Sequence, residues 1–166
     1  MAPPQWAGLR FFNVYGPNEY HKGGQRSVVP QFWQQIRENK KARLFKSLDP
    51  AYTDGGQLRD FVHVSDTISV MQWLLDSPQV GGVFNLGTGQ ARSFDDLASA
   101  IFDTIGMPRN VEYIPMPNNV RNHYQYFTEA RMDRLREAGY DKPFTSLEDG
   151  VRSYVGDYLE SNDQYV

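Results

Sequence analysis

Apolar positions along the chain follow two rhythms, short continuous runs and a helical repeat, and the two mostly alternate. Gly8 to Val14 (GLRFFNV) is apolar and aromatic and is stopped by Tyr15-Gly16-Pro17, which predicts a strand entering a turn. Asn18 to Gly24 is polar and contains glycine, a loop. Ser27 is placed as a helix N-cap, followed by Val28, Val29, Phe32, Trp33 and Ile36 on one face; Pro30 falls in the first turn, where its missing N–H has no partner to lose. Arg43 to Phe45 reads as a short strand before a long polar loop, Lys46 to Gln57, of a length that is often functional or mobile. Arg59 to Val64 (RDFVHV) predicts a strand. Ser65 or Asp66 then opens a helix whose apolar positions are Ile68, Met71, Leu74 and Leu75. Val83 to Leu86 is a strand closed by Gly87-Thr88-Gly89. Ser93 and Asp96 form a capping-box-like pair ahead of Phe94, Leu97, Ala98, Ile101, Phe102 and Ile105, and Gly106 ends that helix. Val111 to Ile114 is a strand, and helices are expected over Glu129 to Ala138 and Leu147 to Leu159. The alternation predicts an α/β chain with one core.

Composition narrows the classes of function. With 166 residues the chain suits one domain. A net charge of −3 gives no general attraction to phosphate backbones, so nucleic acid is not an expected partner. No apolar run reaches membrane-span length and the start, Met1 to Trp6, is no signal peptide, so a cytoplasmic protein without a membrane partner is expected. The chain has no cysteine, which removes disulfides, thiolate metal sites and a cysteine nucleophile. His21, His63 and His123 lie far apart at no metal-ligand spacing, so no metal is expected.

The chemistry-bearing motifs have plain structural readings of their own. Gly87-Thr88-Gly89 sits between a strand and a helix, as a dinucleotide loop would. The third glycine of that fingerprint falls on Arg92, so the segment reads as a tight βα turn. No G-x-S-x-G elbow is present, and none of the tyrosines has a lysine four residues on. Asn13, at a strand end, reads by composition as a turn-capping residue. Lys22 reads as a solvated loop lysine, Arg59-Asp60 as a strand-edge ion pair, and Tyr124 and Tyr126, beside His123 and Gln125, as a half-buried aromatic stripe.

Taken in order, RFFNVYGP, RDFVHVSD and FNLGTG resemble the C-terminal half of an extended short-chain dehydrogenase/reductase, the family of nucleotide-sugar epimerases and dehydratases. NVYGPNEYHKG, YIPMP, YQYFT and AGYDKPF are similar to the branch of that family that epimerises ADP-heptoses. The resemblance runs from about Gly8 to the last helix. It implies the C-terminal part of the extended fold: the last Rossmann-sheet strands plus a small mixed α/β substrate-binding domain, spanning 1–166. The NADP-binding Rossmann half, with its glycine-rich loop and Tyr-x-x-x-Lys, is absent from this sequence; a shortened frame or a separate chain supplying that half are both consistent with it.

What the resemblance implies for the site is an ADP-heptose substrate, NADP bound mostly by the other half, and a homo-oligomer when complete. It gives Lys22 as an acid/base residue that also meets the cofactor, and Val14 as a cofactor contact. Asn13, Phe45, Arg59 and Tyr124 match substrate contacts, an arginine suiting pyrophosphate through its bidentate fork. Gly24 stands where some members have a substrate-binding serine and Gln31 where they have a histidine; Lys46-Ser47-Leu48 departs from the family's short acidic-glycine turn. Another nucleotide-sugar epimerase or dehydratase, or a non-catalytic sugar-nucleotide-binding domain, are the alternative readings.

Overall fold

The computed structural model describes residues 5–121 and 124–161, so His123 and residues 1–4, which figure in the expectations above, lie outside the described residues. Among the described residues, eight strands pair two by two. β1 (Ala7–Phe11) lies parallel to β6 (Gly82–Leu86), β2 (Asn13–Tyr15) to β5 (Phe61–His63), and β3 (Ala42–Phe45) to β8 (Val111–Ile114). β4 (Leu58–Arg59) and β7 (Arg92–Ser93) form the antiparallel pair. Parallel pairs need long crossovers, and helices α1 (Val28–Asn39), α2 (Val64–Asp76) and α3 (Phe94–Thr104) lie within them, which makes the chain α/β as expected.

Two predicted strands are each broken in two because the chain changes partner. Phe12 sends its N–H to Leu86 O (3.0 Å), while Asn13 sends its own to Asp60 O (3.0 Å), so the segment leaves β6 and joins β5 within one residue. Arg59 to Val64 breaks at Asp60, between β4 and β5, and Val64 already belongs to α2. The predicted loop at Asn18 to Gly24 contains a 3₁₀ segment, Tyr20–Gln25. The long loop after Phe45 is pinned: Ser47 N–H reaches Asp54 Oδ1 (2.8 Å), and Leu48 N–H reaches the Tyr126 hydroxyl (2.9 Å).

Helix ends also depart from the sequence reading. Ser27 does not cap α1 with its side chain; its N–H and hydroxyl both donate to the Glu19 carboxylate, at 2.6 Å each. α2 is opened by His63 rather than by Ser65 or Asp66, with the His63 ring accepting from Ser65 N–H. The capping box at Ser93 and Asp96 forms as expected, since both partners lie in one turn. Of the four apolar positions assigned to α2, only Leu74 is buried; the helix is rotated so that Thr67, Val70 and Asp66 face inward. A short α4 (Asn118–Arg121) was not foreseen, and the helix expected over Glu129 to Ala138 shrinks to α5 (Asp133–Glu137). The last helix is α6 (Leu147–Ser153) running into a π-helical segment, Tyr154–Leu159.

The core has two parts. One gathers α1, α3, α6 and β3 around Ile36, Leu44, Ile101 and Tyr154; the other gathers α2, β6 and the 130–140 segment around Val70, Leu86 and Leu135. Among the described residues no helix is long and apolar enough to cross a membrane. None of the His, Asp and Glu residues described there form a metal-holding cluster.

Candidate functional site

The site is built around the N-terminal half of α1. Glu19, itself buried, accepts from Ser27 and also from the Tyr154 hydroxyl (3.1 Å), so a carboxylate at the start of α1 ties the 3₁₀ segment to the last helix. A negative group at a helix N-terminus is favoured by the exposed N–H groups there. Burial and the Glu19 charge push the Tyr154 phenol upward, so it stays a hydrogen donor. The segment from Tyr20 to Gln25 is thereby folded over the helix start. Lys22 is carried to the rim of a cleft of about 410 Å³ whose walls include Asn13, Val14, Glu19 and Gln31. Among the described residues no carboxylate lies within ion-pair distance of Lys22, and its backbone N–H donates to Glu19 O (3.1 Å).

A second cleft, of about 400 Å³, shares Val28, Gln31 and Phe94 with the first and is lined further along by Gln35, Phe45 and Tyr124. Its aromatic wall is continuous: Phe45 and Tyr124 rings meet edge-on at 6.3 Å, and Tyr124 meets Tyr126 at 5.5 Å. Gln57, fully buried, donates to Phe45 O (3.3 Å) and fixes that wall from behind. Of the half-buried stripe expected of Tyr124 and Tyr126, Tyr124 is therefore on one side of a cleft, with the Tyr126 ring packed against it.

Arg59 is not a strand-edge ion pair with Asp60. Its guanidinium lies 5.7 Å from the Phe94 ring centre and 5.2 Å from that of Tyr124, with one N–H on Leu58 O (2.7 Å). Burial lowers its pKa and the neighbouring Tyr124 opposes that; burial in turn raises Tyr124. An arginine has five N–H donors, so most of the fork is left for an anion. It reaches the second cleft through the two rings that line it, though it is not itself part of the lining.

Asp60 instead fills the Gly87-Thr88-Gly89 turn. Its carboxylate accepts from Thr88 N–H (2.7 Å), the Thr88 hydroxyl (2.7 Å), Gly89 N–H (2.9 Å) and Ala130 N–H (3.0 Å). A Cβ on Gly87 would stand 2.6 Å from Asp60 Oδ2 and 2.7 Å from Ala130 Cβ, so glycine is needed there for close approach. The turn's N–H groups are spent on the chain's own carboxylate. It does not fit a cofactor pyrophosphate, as its sequence already indicated.

Six of the residues singled out in the sequence thus line the paired clefts: Asn13, Val14, Lys22, Gln31, Phe45 and Tyr124. Arg59 adjoins them. Gly24 does not; it is exposed, lines neither cleft, and a side chain there would meet nothing within 4 Å. Sequence reasoning missed Glu19 and Gln35. Gln35 carries a signal in hindsight, standing one helical turn after Gln31.

The chain is an α/β fold with parallel strand pairs and a polar cleft beside an aromatic one. Its relatives agree: the chain belongs to the NAD dependent epimerase/dehydratase family, whose model matches residues 5–87. Among curated relatives it is similar to the ADP-L-glycero-D-manno-heptose-6-epimerase of Nitratidesulfovibrio vulgaris (strain DP4), 53% identical over 160 residues, 96% of this chain and 50% of the relative. The enzyme of that name from Fusobacterium nucleatum is 46% identical over 170 residues, 99% of this chain and 51% of the relative. The chain spans about half the length of the curated relatives it matches. The Helicobacter pylori ADP-L-glycero-D-manno-heptose-6-epimerase structure superposes with TM-score 0.72 at 30% identity, covering 92% of this chain and 44% of that one. The UDP-glucose 4-epimerase of Thermus thermophilus, solved in complex with NAD, shares the fold with TM-score 0.72 at 24% identity, over 95% of this chain and 47% of that one.

Proposed function

We propose that the chain is the C-terminal, substrate-binding half of an ADP-L-glycero-D-manno-heptose 6-epimerase, completed by an N-terminal NADP-binding Rossmann half. The observation that carries this reading is the junction of the two clefts. Lys22, Asn13, Val14 and Gln31 surround a polar space that opens beside an aromatic one bounded by Phe45 and Tyr124, with Arg59 against the rings. A sugar with a hydroxyl to be handled suits the first space, and a nucleobase the second. The heptose epimerases that share about half of this chain's residues support the choice of substrate.

Val14 and Lys22 are this chain's contribution to the cofactor site, and the rest belongs to the other half, because the one glycine turn that invites a pyrophosphate is occupied by Asp60. NADP supplies a hydride acceptor and donor at C6 when bound. The residues of this chain do the remainder. Arg59 holds the pyrophosphate through its free N–H groups, Asn13 orients the sugar, and Lys22 is the acid/base group for the C6 hydroxyl on one face, the hydroxyl on the opposite face exchanging its proton with a second acid/base group of the other half.

Lys22→Met tests the assignment in the chain reconstituted with its companion half. Loss of an acid/base group lowers kcat by about 10²–10⁴ with little change in KM, whereas loss of a phosphate contact mainly raises KM. ADP-heptose should turn over and UDP- or dTDP-sugars should not. A kcat within a few-fold of wild type removes Lys22 from the chemistry.

A further inference from the structure

The loop over residues 46–57 is held in shape by its own hydrogen bonds. The Ser47 hydroxyl donates to Asp49 O (2.7 Å), Ala51 N–H to Asp49 Oδ1 (2.9 Å) and Tyr52 N–H to Asp49 O (3.1 Å). Gly55 N–H closes the base of the loop on Phe45 O (3.0 Å). Phe45 and Gln57, at the two ends, line the aromatic cleft, and Leu48 and Tyr52, in the middle, do not. The middle rests on Tyr126 instead. Leu48 N–H donates to the Tyr126 hydroxyl (2.9 Å), and the Tyr52 ring lies 5.2 Å from that of Tyr126, tilted by 37°. Tyr126 also meets Tyr124 edge-on at 5.5 Å, and its carbonyl accepts from Leu58 N–H (2.8 Å). Tyr126 thus touches both a part of the loop that stays outside the cleft and a ring that lines it.

We propose that Tyr126 is a positioning residue that holds Tyr124 ready to receive the nucleotide, with the 46–57 loop backing it through Tyr52. The inference rests on the reading above, that the aromatic cleft takes the nucleotide of a sugar nucleotide, and adds how that wall is kept in place. Tyr124 is only half-buried, so its side chain has freedom to lose when a ligand packs on it. A ring already packed against it removes that freedom before binding. Edge-on ring pairs have a preferred geometry, so Tyr126 sets the direction of Tyr124 as well as its place. Tyr126 is itself half-buried and needs support, which Leu48 N–H and the Tyr52 ring supply. A turn too short to carry Leu48 and Tyr52 would leave Tyr126 without either contact, which gives the length of this loop a purpose at the cleft.

The test is calorimetric titration of the chain with ADP, repeated on Tyr126→Ala, Tyr52→Ala, the two combined, and the phenylalanine variant at each position. Both alanine variants lower the melting temperature even if the rings only stabilise the fold, so affinity is measured well below it and only on folded protein. Tyr126→Ala should weaken ADP binding by about tenfold and Tyr52→Ala by about threefold, the size expected when a side chain must be ordered at binding and not beforehand. Tyr126→Phe and Tyr52→Phe keep the ring contacts and should stay within about twofold of wild type. Because Tyr52 acts through Tyr126, adding Tyr52→Ala to Tyr126→Ala should weaken binding no further. A folded Tyr126→Ala that binds ADP as wild type does overturns the proposal, as do phenylalanine variants as weak as the alanine ones. Two alanine effects that multiply overturn the part given to the loop. If wild type does not bind ADP at millimolar concentration, the nucleotide-sugar reading itself fails and this inference falls with it. Should Tyr126→Ala not fold, Tyr52→Ala against Tyr52→Phe decides.

Discussion

Arg59 shows how a single side chain changes meaning between sequence and structure. Beside Asp60 in the chain it reads as half of an ion pair, yet Asp60 turns the other way and is consumed by Thr88, Gly89 and Ala130. Arg59 is left half-buried between Phe94 and Tyr124, without a carboxylate partner among the described residues. A cation desolvated without an anion costs free energy that an incoming anion recovers. Arg59→Ala should therefore weaken ADP-sugar binding to the reconstituted protein by about 1.5–3 kcal/mol, the range for a hydrogen bond to a charged group, and leave NADP affinity nearly unchanged. Competitive titration of both ligands measures this, and normal ADP-heptose affinity would return Arg59 to a purely structural role. Asp60→Ala makes the complementary point. It leaves three backbone N–H donors without their acceptor, each costing about 1–3 kcal/mol, so urea unfolding should show a loss of about 3 kcal/mol or more. Neither role was legible from neighbours in sequence, because Asp60's partners lie 28, 29 and 70 residues away.

At the scale of elements, what could be read in advance is what is decided locally. The α3 capping box lies within one turn, and α1 and α3 carry their apolar faces in register with the core, so both helices stand where the pattern put them. The two broken strands escaped because a change of pairing partner at Phe12 or Asp60 leaves no mark in composition. The face of α2 escaped for a related reason: Ile68, Met71 and Leu75 have helical spacing, but spacing does not say which stripe meets the core. The start of α2 was misread because its cap is a histidine. His63 packs edge-on against Tyr15 with ring centres 5.4 Å apart, and Gly150 leaves room for both rings. Burial lowers the His63 pKa, and Asp66 only partly opposes it. The folded state thus favours the neutral ring. As pH falls, the unfolded chain takes up the proton first, near the ordinary histidine value of about 6.5, and stability declines from there down through the lowered folded value. Urea titrations at about pH 7 and about pH 5 should show a larger drop for wild type than for His63→Phe, which cannot protonate. Equal drops would place the acid sensitivity elsewhere.

For the molecule as a whole, the question is what becomes of apolar surface that the two cores do not absorb. On the strands, Phe84 and Leu86 of β6 are buried, while Phe11 of β1 is 50% exposed. More of it lies on α2 and just before β1: Leu75 is 77% exposed, Trp6 57% and Ile68 47%. Trp6, Leu9, Met71 and Leu75 border one shallow groove, so these side chains are neighbours and not scattered singles. Beside them β1 pairs with β6, and among the described residues no strand occupies its other edge. A contiguous apolar patch next to an open parallel edge is the combination that drives chains together, the patch supplying free energy and the edge supplying direction. The chain on its own should accordingly self-associate. Sedimentation velocity should show a weight-average coefficient rising between about 1 and 100 μM, the range in which exposed edges and apolar surface associate. Met71→Lys combined with Leu75→Lys should flatten that rise without changing the melting temperature, since both side chains already face solvent. Addition of the companion half should suppress it as well if that half covers the same groove. A wild-type chain that stays monomeric throughout would mean that this surface is too small or too divided to hold two copies, and the groove would then owe its apolar character to packing along α2 alone.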